Sequence, residues 1–179
     1  MNEADRCLIR EQYEASRGDS TSLFETVLAL AREFGLDEVL ACLEQCVIAR
    51  RMAWFERNAA SLPHSGDALM DGYRAFYERY LGLSLPADGE IVEASPSRIV
   101  TRWWNRCPTL EACQKLGLDT RRVCRQVYHR PVQALLERID PRLQFDRNYA
   151  SLRPAAPYCE EIIELESPQP GRWKCPAQK

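Results

Sequence analysis

The sequence predicts an α+β fold in which an N-terminal helical part packs on a small antiparallel sheet. Apolar residues recur at helical spacing through residues 1–86, whereas four short runs rich in β-branched and aromatic residues follow it. The runs form two pairs with helical pattern between them. Because strands segregated in this way favour an antiparallel sheet with helices on one face, we expect two helices inserted between the strand pairs.

Three helices are predicted in residues 1–86 from their start and stop signals. Ser22 opens a capping-box pattern, and Gly35 ends the helix that follows. Asp37 begins a longer second helix, for which Arg50 and Arg51 are expected to supply solvent cover. Asp67 opens a third helix with an aromatic stripe.

The second half is predicted to hold the sheet. Its four strands are expected at 90–94, 98–104, 143–147 and 158–165. Ser95-Pro96-Ser97 suits a tight turn, so the first two strands form a hairpin. Thr109 is expected to cap one short helix, and Asp119 or Thr120 the next, which Pro131 kinks or restarts.

Composition places the chain among ordinary globular proteins. With 45% hydrophobic and 28% charged residues, its 179 residues suffice for a proper core. We expect a helical region at 1–86, an α+β region carrying the site at 87–166 and a loose tail at 167–179, all within one integrated domain.

Charge and hydropathy exclude some partners. The net charge of -2 gives no strong field toward nucleic acid or anionic membrane. No apolar run reaches the roughly 20 residues that span a bilayer, and the N-terminus lacks a signal-peptide core. We therefore expect a cytoplasmic protein without a membrane partner.

Cysteine is abundant in this chain. The eight cysteines are Cys7, Cys42, Cys46, Cys107, Cys113, Cys124, Cys159 and Cys175. A chain of this size without an export signal does not need disulfides, so reduced thiols are expected. Cys42 and Cys46, one turn apart on a helix, and Cys113 are predicted to be core residues.

Cys107 is the strongest candidate for a reactive thiol. It follows Arg106 where a strand ends and precedes a helix that opens at Pro108, so free N–H groups and positive charge should lower its pKa. The alternative is a half-buried cysteine at a strand end. If the fold gathers Cys107, Cys124 and Cys159, three soft ligands would suit zinc or iron, with water, Asp146 or His129 in the remaining position.

A second arrangement would be a hydrolase site. His129 could act as a general base for Cys107, oriented by Asp146 or Glu161. Arg102 or Arg106 could hold a substrate carboxylate by a bidentate contact. Trp104, on the strand with Trp103, could line an apolar pocket for the substrate.

A competing signal overlaps these residues. The segment 110–123 resembles a helix-turn-helix with its turn at Gly117, which would direct Arg121, Arg122 and Arg125 toward phosphate. The flanking strands do not fit a small helical DNA-binding domain, so nucleic acid is the less favoured partner.

With these residues in hand, the second half resembles the L-2-amino-thiazoline-4-carboxylate hydrolase-like family. The resemblance spans about 93–165 and is carried by Arg106-Cys107-Pro108, Cys124, the Asp/Pro/Leu-Phe segment at 140–145, and Cys159 in an alternating strand. It implies ring-opening hydrolysis of a cyclic amidine-type thiazoline to a cysteine derivative.

The resemblance also implies roles for residues. Cys107 would be nucleophile or metal ligand, Cys124 and Cys159 its partners, and Asp146 an acid/base or a ligand. The chain departs from the expected pattern at 153–158, where a proline-framed segment replaces a glycine-bearing turn before the late cysteine.

Three functions are therefore carried forward. The first is a hydrolase of a small sulfur- and nitrogen-containing heterocycle, using a thiolate or a thiolate-bound metal. The second is a small-molecule or metal-sensing module without turnover. The third is a helix-turn-helix DNA-binding regulator.

Overall fold

The computed structural model describes residues 1–16 and 19–166. Its helices are α1 (Glu3–Ala15), α2 (Thr21–Phe34), α3 (Leu36–Asn58), α4 (Ala68–Tyr73), α5 (Pro108–Leu116), α6 (Thr120–Val123) and α7 (His129–Ile139). Its strands are β1 (Gly89–Ser95), β2 (Arg98–Trp103), β3 (Leu143–Asn148) and β4 (Cys159–Leu165). The α+β prediction is confirmed. The tail predicted at 167–179, with Cys175, lies outside the described residues.

The helices begin close to the predicted signals, but two caps differ. Ser22 lies inside α2, whose N-cap is Ser20, so the predicted capping box does not form. Asp67 caps α4 by accepting the N–H of Met70 at 3.1 Å, and Asp119 caps α6 through the N–H of Arg121 at 2.9 Å. Helix α5 is preceded by Cys107 as its N-cap residue rather than by Thr109. Pro108 takes the first helical position, where its missing N–H has no consequence.

Two helices change their winding in a way that the sequence pattern does not indicate. Helix α4 continues as a π-helical segment over Arg74–Tyr80, and α6 continues as another over Cys124–Tyr128 before α7 begins. A π-helical turn takes up an additional residue and is frequently found at functional sites. Both segments contribute side chains to the cavity described below.

The four strands form one antiparallel sheet in the order β1-β2-β4-β3. Pro96 and Ser97 form the turn of the β1–β2 hairpin, and β4 inserts between β2 and β3, with Val100 opposite Ile162. Since side chains alternate along a strand, Trp103 packs among the helices while Arg102 lies on the other face. The helices thus cover one face of the sheet.

The core has two parts, and each takes residues from both predicted regions. The first joins α1, α2 and α3 to α5 and the second π-helical segment, through residues such as Phe24, Leu43, Cys113 and Val127. The second joins α4, α7 and the sheet, through residues such as Phe76, Leu136, Phe145 and Ile163. Residues from 1–86 and from 87–166 therefore pack against each other in both parts of the core. Within the ranges 1–16 and 19–166, no helix combines the length and apolarity that crossing a bilayer requires.

Candidate functional site

A cavity of about 330 Å³ lies where the two parts of the core meet the inner face of the sheet. That volume is suited to a small molecule. Its walls come from α3, both π-helical segments, the start of α5, three strands and the loop before β4. The lining residues that matter chemically are Arg51, Phe76, Tyr77, Trp103, Arg106, Cys107, Thr109, Cys124, Tyr128, Arg147, Arg153, Cys159 and Glu161.

Three cysteines distant in sequence line this cavity. Cys107 comes from the turn before α5, Cys124 from the second π-helical segment and Cys159 from the first residue of β4. All three are partly buried free thiols. The other cysteines differ: Cys42 and Cys113 are buried in the first part of the core, as predicted, and Cys46 packs against it.

Burial governs the chemistry of the Cys107 thiol. Burial raises its pKa above the ordinary value, and the backbone N–H groups of Leu110 and Thr109, with the Arg153 guanidinium, lower it only in part. The predicted low-pKa thiol at Cys107 is therefore wrong. The helix end supplies the expected donors, but desolvation by the cavity walls outweighs them.

The neighbouring Cys124 thiol is held as a neutral group in a similar way. Burial raises the pKa of Cys124 to about 12, despite the nearby Arg147 guanidinium. Cys159 has a specific polar partner, since Arg153 Nε donates to its Sγ at 3.4 Å. At neutral pH Cys107 and Cys124 are thus thiols rather than thiolates.

A buried ion pair forms the polar wall of the cavity. Arg147 Nε donates to Glu161 Oε1 at 2.8 Å, and Tyr77 Oη donates to Glu161 Oε2 at 2.9 Å. Arg147 and Glu161 are only 9% and 7% exposed, so protein groups rather than bulk solvent stabilise the carboxylate, and its Oε2 accepts only from Tyr77 among the described residues. Burial, with the Glu161 charge beside it, raises the pKa of Tyr77 well above its usual range.

Aromatic residues complete the walls. The rings of Tyr77 and Trp103 stack with centroids 4.5 Å apart, and Trp103 Nε1 donates to Thr101 Oγ1 at 2.8 Å. Tyr128 Oη and Thr109 Oγ1 lie 2.9 Å apart on the α5 side. These contacts fix flat apolar surfaces, which suit a planar ligand.

Arg51 also lies in this cavity, although solvent cover was expected for it. Only 5% of the residue is exposed. Its Cζ lies 5.2 Å from the ring centroids of both Phe76 and Tyr80. Its Nε and Nη1 have no hydrogen-bond partner among the described residues. The prediction failed because this helix face packs against Phe76 and Tyr80 of the first π-helical segment rather than facing solvent.

The predicted acid/base residues lie elsewhere. His129 and Asp146 line a separate, open groove with Arg125 and Tyr149, and His129 Nδ1 is 3.1 Å from Tyr149 Oη. Strand alternation explains this, since Arg147 points inward and Asp146 therefore points outward. Burial lowers the pKa of His129. The expected Cys107, His129 and Asp146 arrangement is not assembled.

The predicted substrate-binding residues either lie outside the cavity or are paired with other groups of the protein. Arg102 lies on the outer face, where its Nε donates to Glu160 at 3.0 Å. Arg106 lines the cavity, but its guanidinium forms two hydrogen bonds with Glu111, at 3.0 and 2.7 Å. Trp104 is 42% exposed and donates to the Ala87 carbonyl at 2.9 Å. Trp103, its neighbour, is the tryptophan that lines the cavity.

The proposed metal ligands share the cavity without forming a metal-binding geometry. Across residues 1–16 and 19–166, no group of three or more histidine, cysteine or acidic side chains is placed to hold a metal ion. Cys107, Cys124 and Cys159 thus do not fit zinc or iron as a ligand trio in this structure, and no chemical step below uses a metal.

The helix-turn-helix segment has a different environment from that of a DNA-binding surface. Gly117 adopts φ 68° between α5 and α6, as the turn requires. Arg122 Nη2, however, donates to Asp37 at 2.6 Å, and Arg125 Cζ lies 4.4 Å from the Tyr149 ring centroid. Two of the three arginines expected to face phosphate therefore have contacts within the chain.

Comparison with known proteins adds no relative. The chain matches no protein-family model, and no curated protein or solved structure is significantly similar to it. The resemblance to the thiazoline carboxylate hydrolase-like family thus stays a prediction that rests on the residues quoted for it.

Proposed function

We propose that the protein is a hydrolase of a small sulfur- and nitrogen-containing heterocycle, and that the cavity lined by Cys107 is its active site. The observation that carries the proposal is the meeting of three thiols with a buried Arg–Glu pair in one cavity of about 330 Å³. A nucleophile, fixed polar groups and flat apolar walls are what such a reaction needs.

Cys107 is the proposed nucleophile. The N–H groups at the start of α5 favour negative charge on its sulfur as the proton leaves. The ring nitrogen of a cyclic amidine is itself a base, so a neutral thiol can transfer its proton to the substrate as the sulfur bonds to the amidine carbon. This route suits a thiol whose pKa burial raises, because no thiolate has to exist beforehand.

The remaining steps balance with one water molecule. A ring C–N or C–S bond of the adduct breaks, and its heteroatom leaves carrying a proton. Water then attacks the same carbon, the carbon–Cys107 bond breaks, and the proton released by water restores the thiol. Glu161, the carboxylate of the cavity lining within the described residues, is the proposed group that orients this water.

The test is turnover of a substrate panel by the full chain. Wild-type protein is incubated with 2-aminothiazoline-4-carboxylate and with thiazoline and imidazoline carboxylates, and ring opening is followed by mass spectrometry and by free-thiol titration. Cys107→Ser should reduce the rate to that of the buffer alone. Cys7→Ser, at an exposed thiol on α1, is the matched control and should leave the rate unchanged. Undiminished turnover by Cys107→Ser would remove the nucleophile role.

A binding module without turnover is the second candidate, and one observation favours it. Burial raises the pKa of both Cys107 and Cys124, so neither is a ready thiolate nucleophile at neutral pH. On this alternative, members of the panel raise the melting temperature of the protein while no ring-opened product forms.

A further inference from the structure

We propose that Arg51 forms a buried anion-binding subsite of the cavity, which receives the carboxylate of a small planar ligand. The inference rests on the proposed function for treating the cavity as the ligand site, and it deepens that function by assigning the residue that selects the ligand. The sequence had pointed instead to Arg102 and Arg106, which the structure places outside this role.

The guanidinium of Arg51 is buried, and two of its nitrogens have no acceptor among the described residues. The residue is 5% exposed, and neither its Nε nor its Nη1 has a hydrogen-bond partner among the described residues. A guanidinium removed from water is normally paired, since burial of an uncompensated charge is strongly unfavourable. Because Arg51 lines the cavity, a ligand placed there can supply the missing acceptor.

Two aromatic rings hold the guanidinium of Arg51 in place. Its Cζ lies 5.2 Å from the ring centroids of Phe76 and of Tyr80, which attract the charge but offer no carboxylate oxygen. The rings therefore fix the position of the cation while leaving its Nε and Nη1 without an acceptor among the described residues. Arginine donors in a fixed plane match the two oxygens of a carboxylate.

The cavity wall carries more basic than acidic side chains. Four arginines line the cavity, at 51, 106, 147 and 153, against the single carboxylate of Glu161 among the described lining residues. Glu161 is paired with Arg147, and Arg106 is paired with Glu111. The cavity is thus positive in a chain whose formal net charge is -2, and this difference favours an anionic ligand.

The ligand shape follows from two aromatic residues of the cavity lining. Tyr77 and Trp103 stack at an interplanar angle of 29° and present flat apolar surface to the cavity. A planar ring carrying a carboxylate would contact these rings and place its charge at Arg51.

The test uses benzoate as the probe, with benzamide as its uncharged counterpart and inorganic phosphate as a tetrahedral anion. Binding to the full chain is followed in ¹H–¹⁵N spectra that record arginine Nε–H and tryptophan indole N–H signals. We expect benzoate to shift the Arg51 Nε–H signal. Benzamide should bind at least about 10-fold more weakly than benzoate, the loss expected without a charged hydrogen-bonded pair. Phosphate can pair with Arg51 but has no planar ring to contact Tyr77 and Trp103, so it should also bind more weakly than benzoate.

Variants assign the effect to Arg51. Arg51→Met should weaken benzoate binding by about 10- to 100-fold, and Arg51→Lys, which keeps the charge but loses the planar fork, should fall between Met and wild type. Arg50→Met is the matched control, because it removes the same charge one position away, at a residue that contacts Tyr13 rather than the cavity. It should leave benzoate binding unchanged.

Several outcomes would overturn the proposal. They are benzoate binding unaffected by Arg51→Met, equal binding of benzamide or phosphate, or no benzoate binding to wild type at millimolar concentration. The test reads binding and not turnover. If benzoate binds through Arg51 but Cys107→Ser keeps the wild-type rate, the subsite is retained and the nucleophile is rejected. If benzoate binding does not depend on Arg51 but Cys107→Ser loses turnover, the nucleophile is retained and the subsite is rejected.

Discussion

Removal of the charge on Glu161 tests whether the polar wall of the cavity is a true buried ion pair. In Glu161→Gln, Arg147 loses its countercharge while both positions stay within the interior, at 7% and 9% exposure in the wild type. Breaking one side of a buried pair costs about 3–5 kcal/mol. Since an amide oxygen can still accept one N–H, we expect the lower end, about 3 kcal/mol. Loss of a charged acceptor for Tyr77 Oη acts in the same direction.

The assay is the free energy of unfolding from urea titration at neutral pH. Glu164→Gln is the matched control on the same strand, because its partner Arg98, at 2.8 Å, lies on the exposed face. That exchange should cost no more than about 1 kcal/mol. A double variant, Arg147→Met with Glu161→Leu, should cost less than the two single changes added together.

The reasoning would be refuted by a small effect at Glu161. If Glu161→Gln destabilised the protein no more than Glu164→Gln, the carboxylate would be reached by water in solution. The pair would then behave as a surface contact rather than as a buried ion pair.

Three further predictions follow from the site. Because burial raises the pKa of Cys107, its thiolate fraction near pH 7 is below that of an unperturbed thiol. Iodoacetamide should therefore label Cys107 more slowly than the exposed Cys7, and the labelling rate of Cys107 should still rise above pH 9. Mass spectrometry measures both rates. Gly89→Ala would place a Cβ 2.4 Å from the Arg102 carbonyl oxygen and 2.5 Å from the Trp103 ring; we expect a loss of about 1–3 kcal/mol and an altered near-ultraviolet circular dichroism spectrum. His129→Asn should leave the ring-opening rate unchanged, because the imidazole lines the other groove, and a large rate loss would return it to the mechanism.

The architecture was accessible from sequence because its signals are local. Alternation at 98–104 and 158–165 and the turn at Pro96 define strands, and Asp67 and Asp119 define helix starts. The alternation of side chains along this strand also predicts that Trp103 and Arg102 face opposite sides of the sheet. The choice of Arg102 for a substrate contact overlooked that Trp103 shares its face with Ile99.

The site was only partly accessible because its chemistry depends on burial. Cys107 could be named from its position at a strand end, and Cys124 and Cys159 as thiols that the fold could bring to it. The desolvation that raises the pKa of Cys107, however, depends on walls from distant segments. Arg51 was missed for the same reason. An arginine beside another arginine on a helix normally faces water, and only the packing of α3 on Phe76 and Tyr80 reveals otherwise.

The π-helical segments make the cavity sensitive to chain length as well as to residue identity. Each residue of a regular helix advances the side-chain direction by about 100°. Deleting one residue between Val123 and Tyr128 would let the backbone return to an uninterrupted α-helix, yet it would rotate Cys124 or Tyr128 relative to the sheet. Deletion of one residue there should therefore preserve the helix content but move Cys124 or Tyr128 out of the cavity lining. A substitution at the same positions would not change the winding of the helix in this way.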